Sequence, residues 1–93
     1  MTSRPMRNPQ LAWREIDGEI VIISPEDSQV HELNVTAALV WKRADGEQTL
    51  EEIAAGMVSE FDVTHESARK DVAELIAQLA EKQLVTAAVE VKT

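Results

Sequence analysis

The sequence predicts an α+β fold, a small three-stranded antiparallel sheet followed by three helices. Three observations predict it. Asp17-Gly18 stands between two apolar runs, the short-range signal of a hairpin with a type I′ turn. Asn34, Thr49 and Thr64 each open a stretch with helical apolar spacing, as N-cap residues do. The strand patterns come first and the helices after them, so the two do not alternate as in a parallel sheet.

Composition bounds what such a fold could be. The chain has 93 residues, enough for one domain and one core. With 44% hydrophobic and 28% charged residues it is globular and not disordered. No apolar run reaches the length of a membrane span, and Met1 to Arg7 lacks the apolar core of a signal peptide, so the default expectation is a cytoplasmic protein with no membrane partner. Cysteine is absent, which excludes disulfides, thiol catalysis and thiolate metal sites. The net charge of −8 matters through its distribution. From Glu15 to Trp41, and again from Ala44 to Ala68, every charged residue is acidic. Nucleic-acid binding needs cations that neutralise phosphates, and a recognition element here would offer almost none.

The elements follow in order. Residues 1–9 hold two prolines and no periodicity, and are expected to form a flexible N-terminal arm. The domain is placed at 10–86 and a C-terminal tail at 87–93. Leu11 to Ser24 reads as the hairpin, and a two-residue turn pairs Ile16 with Glu19 and Trp13 with Ile22. Leu11, Trp13, Ile20 and Ile22 then share one face, and Ala12, Ile16, Val21 and Ile23 the other. Both faces are partly apolar, so alternation leaves open which one meets the helices. Trp13 is expected in the core. Pro25 to Ser28 is a turn, and Gln29 to Leu33 a third strand. As an edge strand it is either protected by Glu32, Asp27 and Pro25 or kept open for a peptide to add as a fourth strand.

Asn34 caps a first helix whose Ala37, Val40, Trp41 and Ala44 lie on one face, with Trp41 expected at the seam between helix and sheet. Asp45-Gly46 supplies a left-handed stop. Thr49 and Glu52 form a capping box for the second helix, with its apolar stripe from Leu50 to Phe61. Thr64 caps a third helix, expected from about His65 to Lys82, with Ala68, Val72, Leu75, Ile76 and Leu79 as its stripe. Leu84 to Val91 is a short strand or an extended tail.

No catalytic constellation can be assembled from these residues. The two histidines, His31 and His65, have no cysteine or tyrosine to work with. Asp62, His65 and Glu66 could be drawn as a metal site, but three such residues around an N-cap are ordinary helix-start electrostatics. The serines lack a glycine-framed elbow, and the three glycines stand too far apart for a phosphate loop. The expectation is a protein that is not an enzyme and uses no metal or cofactor.

The pattern Leu33-Asn34-x-Thr36-Ala37-x-x-x-Trp41-x-x-x-Asp45-Gly46-x-x-Thr49-x-x-Glu52-Ile53 resembles the PqqD family, named for pyrroloquinoline quinone biosynthesis. Asp71-Val72-x-x-x-Ile76-x-x-Leu79-x-x-x-x-Leu84-Val85 is similar to that family's closing helix. With the hairpin, the resemblance covers about residues 11–85. Ala44 stands where many members have cysteine, and Gln83 replaces the usual glycine. The resemblance implies a RiPP recognition element, a small winged-helix-like domain that captures the leader of a ribosomally made precursor peptide as an added strand and presents it to a modifying enzyme, often a radical SAM maturase. On this chain the implied peptide site is Ser28, Gln29, Val30, His31, Glu32 and Leu33 on the third strand, with Ala68, Arg69, Val72, Leu75 and Ile76 on the third helix. Arg69 and Lys70, the only cations between Arg43 and Lys82, would then favour an acidic leader residue.

Two other readings fit the same elements. A winged-helix DNA-binding regulator would share the architecture, but the acidic stretch from Thr49 to Ala68 would be repelled by phosphate. A structural domain forming a homodimer would use the same open edge on itself.

Overall fold

The computed structural model describes residues 4–24 and 28–86. In chain order the elements are β1 (Met6–Arg7), β2 (Ala12–Ile16), β3 (Glu19–Ser24), β4 (Gln29–Leu33), α1 (Val35–Arg43), α2 (Leu50–Glu60), α3 (His65–Glu81) and β5 (Val85–Thr86). Strands β2, β3 and β4 form an antiparallel meander in that spatial order. Asp17 and Gly18 both have positive φ, 52° and 85°, as a type I′ turn requires. That turn sets Ile16 opposite Glu19 and Trp13 opposite Ile22, the register expected from the sequence.

The helices settle which face is the inner one. Ile20 and Ile22 are fully buried, and Leu11 packs against the same core. Each buried side chain of this size contributes about 1.5–3 kcal/mol relative to exposure. The face carrying Ala12, Ile16, Val21 and Ile23 looks outward, with Ile16 50% and Ile23 48% exposed. Trp13 lies on the inner face but is 40% exposed, so the expectation that it is core holds only in part. Its ring meets the fully buried Trp41 edge-on, with centroids 5.9 Å apart. Trp41 thus fills the seam between α1 and the sheet. It does so although its indole N–H has no acceptor among the described residues.

The caps are those the sequence specifies. Asn34 accepts from the Ala37 N–H at 2.9 Å. Thr49 and Glu52 exchange the two bonds of a capping box, and Thr64 accepts from the Ser67 N–H. Helix α3 ends in a Schellman arrangement, in which the N–H groups of Leu84 and Gln83 donate to the carbonyls of Leu79 and Ala80. This closure puts Gln83 at φ 63°, the left-handed region that glycine occupies without strain. The substitution noted in the sequence therefore falls at the one position of the cap that prefers glycine. No described helix is long and apolar enough to cross a membrane.

The flexible arm expected over residues 1–9 is not what residues 4–9 do. Met6 and Arg7 pair with Thr86 and Val85 as a second, two-stranded sheet, and Pro5 is buried. The Arg7 N–H donates to the Ala44 carbonyl, and its guanidinium donates to the carbonyls of Trp41 and Lys42 at 3.0 and 2.7 Å. The end of α1 leaves the Lys42 carbonyl without a helical donor, while the Trp41 carbonyl also accepts from the Ala44 N–H, and a cation here meets the negative end of the dipole. The same guanidinium lies 5.4 Å from the centre of the Trp13 ring. Gly46, at φ 83°, completes the tie by donating to the Pro5 carbonyl. Residues 1–3, the turn over 25–27 and the tail over 87–93 lie outside the described residues.

Candidate functional site

The strand that leads into α1 is the candidate site's first component. Alternation puts Gln29, His31 and Leu33 on the inner face, opposite Ser24, Ile22 and Ile20, and Val30 and Glu32 on the outer face. Leu33 is buried in the core and His31 is half-buried, whereas Val30 is 59% exposed and Glu32 is exposed. Ser28 precedes the strand at φ 56°. Strand β3 flanks β4 on one side; among the described residues no strand flanks the other. A strand in that position offers a row of N–H and C=O groups to an extended chain.

Helix α3 is the second component. Both α3 and β4 pack on α1, while α3 also packs on α2 and β5. Ala68, Val72 and Ile76 are buried in the core, so they form the wall behind any site and not its contact surface. Leu75 is half-buried and presents apolar surface at the edge of that stripe. Arg69 goes elsewhere. Its Nε is 2.8 Å from an oxygen of Glu51 on α2, both side chains being more than half exposed. Together with Lys70, Glu66, Ala73 and Leu50 it lines a shallow cleft between the start of α2 and α3. At 100° per residue, Arg69 and Leu75 stand a third of a turn apart, on opposite shoulders of the buried stripe.

The structure therefore brings the strand residues into one continuous edge, but it separates Arg69 from Leu75. The sequence reading also passed over a neighbour. Asp71 is half-buried and lies one turn before Leu75, on the same shoulder. The i, i+4 spacing was its available signal. The charge beside Leu75 is thus acidic, not basic. Among the described residues no three His, Asp or Glu side chains gather where they could hold a metal ion.

Comparison with known proteins bears directly on this arrangement. The model of the family described as coenzyme PQQ synthesis protein D (PqqD) matches residues 19–85. The chain belongs to the PqqD family. The match takes in both patterns from which the resemblance was read. The "PqqA binding protein" of Xanthomonas campestris pv. campestris (strain B100) is 40% identical over 65 residues, covering 70% of this chain and 68% of the relative. Two solved structures share the PqqD-family fold. TbiB1 in complex with the TbiA(beta) leader peptide has a TM-score of 0.80 at 19% identity, over 91% of this chain and 99% of that one. The PqqD truncation of Methylobacterium extorquens PqqCD, described as a stand-alone RiPP recognition element, has a TM-score of 0.71 at 24% identity, over 88% and 87% of the two chains. At those identities the likeness is one of fold.

Proposed function

We propose that this protein is a peptide-binding chaperone. It captures the leader of a ribosomally synthesised precursor peptide as a strand added to β4, and presents it to a modifying enzyme, with a radical SAM maturase as the partner class. The observation that carries the reading is membership of the PqqD family together with a fourth-strand position beside β4 with no strand in it among the described residues. A relative named for binding PqqA supports it. Main-chain bonds to β4 would provide affinity without demanding particular leader residues, and pockets beside Leu75 would provide selectivity. With Asp71 on that shoulder and Arg69 held by Glu51, the leader residue favoured there is basic, the reverse of the sequence expectation. The protein acts by binding, without turnover, in the cytoplasm where precursor peptides are made.

Calorimetry tests the reading, with a synthetic PqqA peptide as the probe. Val30→Pro should abolish binding, since proline removes a ladder donor and fits poorly in a paired strand. Leu75→Glu should weaken binding at least tenfold, about 1.4 kcal/mol. Arg69→Glu should change it little. Full affinity in a Val30→Pro variant that melts like the parent would place the peptide elsewhere.

A further inference from the structure

The outer face of the sheet is apolar at its centre and has no element packed on it among the described residues. Ladder register lays it out as a grid. One row across the strands is Ala12, Ile23 and Val30, and the next is Arg14, Val21 and Glu32. Ile23 and Val30 are about half exposed or more, and on the β2–β3 side Ala12, Arg14, Ile16, Val21 and Ile23 line a concavity that Trp13 closes at the β2 edge. Arg14 and Glu32 therefore sit in the same row, on opposite edge strands, with Val21 between them. Two strand spacings separate their backbones by about 10 Å. Both are exposed, and neither forms an ion pair or side-chain hydrogen bond with any described residue.

We infer that this face is self-complementary and pairs with a second copy of the chain, sheet on sheet, about a two-fold axis running along β3. That operation exchanges the two edge strands and keeps the row. Arg14 of each copy then faces Glu32 of the other, Ala12 faces Val30, and Val21 and Ile23 meet their own counterparts in the centre. The alternative in-plane axis, across the strands, would stack Arg14 on Arg14 and Glu32 on Glu32. An isologous interface of this kind needs each patch to complement itself, and the row Arg14–Val21–Glu32 does so through charge. The two sheets would lie about 10 Å apart with apolar side chains interleaved.

Size limits the strength. The three strands offer a patch roughly 10 by 14 Å between outer Cα positions, far below the ~800 Å² per partner of a stable complex. The dimer is accordingly weak and concentration-dependent, and the screening of its two ion pairs makes it weaker in high salt. Pairing through this face leaves the outer edge of β4 free. The inference therefore stands apart from the leader-binding reading: either can fail alone.

Sedimentation of the full chain at rising concentration tests it. The wild type should pass from monomer to dimer below about 1 mM. Arg14→Glu and Glu32→Arg should each abolish the dimer, because each variant alone opposes like charges across both pairs. Mixed in equal amounts, the two variants should dimerise again, since the mixed pair restores both attractions. Melting curves on each variant should match the parent, as both residues are exposed. A wild type that stays monomeric, or variants whose mixture stays monomeric, would overturn the proposal. So would binding of a modifying enzyme that is lost on Val21→Asp while the wild type shows no self-association, which would assign the face to that enzyme.

Discussion

Strands β2 and β4 are the two edges of one sheet, and the molecule treats them differently. On β2, Trp13 is held between the Trp41 ring and the Arg7 guanidinium, and Glu15 is tied to Lys42 at 2.8 Å. On β4, residues Val30 to Leu33 make no hydrogen bond to a described residue beyond the β3 ladder, apart from packing by Leu33 in the core. Neither strand holds a proline, and each mixes apolar residues with glutamate. The difference therefore lies in tertiary neighbours and not in the strands' own composition. A guarded edge and an open edge can be written with nearly the same residue types.

The largest expected effect breaks the guarded side. Trp41→Ala removes the ring that backs β2 and fills the seam, and should lower stability by about 3–5 kcal/mol in thermal or urea melts. A variant that melts like the parent would mean that the seam is not the main anchor of the sheet. Next is Arg7→Ala, which removes two hydrogen bonds to carbonyls at the end of α1 and the cation over Trp13. It should cost about 1–2 kcal/mol, and a rise in Trp13 accessibility to a fluorescence quencher would show that β2 has lost its guard. The smallest change is a gain. Gln83→Gly should stabilise the chain by about 1 kcal/mol by relieving the left-handed strain after α3. It should do so without touching either edge, so leader binding should not move.

Much of this was legible in the sequence, for a physical reason. The caps at Asn34, Thr49 and Thr64, the Asp17-Gly18 turn and the stripe of α3 are signals carried within four residues or so. The register of β2 on β3 followed from that turn alone. The pairing of Met6 and Arg7 with Thr86 and Val85 was not legible, because two-residue strands 80 positions apart carry no periodic mark. Nor was the inner face of the hairpin, since both faces hold isoleucine and the choice depends on where α1 docks. Arg69 shows the same limit at the candidate site. Helical spacing already sets it a third of a turn from Leu75, and what the sequence does not carry is that α2 crosses α3 there and brings Glu51 to it.

Amide hydrogen exchange, followed residue by residue with and without saturating precursor peptide, tests the account most directly. The expected result is new protection at alternate amides within Val30–Leu33, those whose N–H groups point away from β3, with Ala12–Ile16 unchanged. Protection that appears along β2 or in the cleft between α2 and α3, while the β4 amides exchange as before, would contradict it.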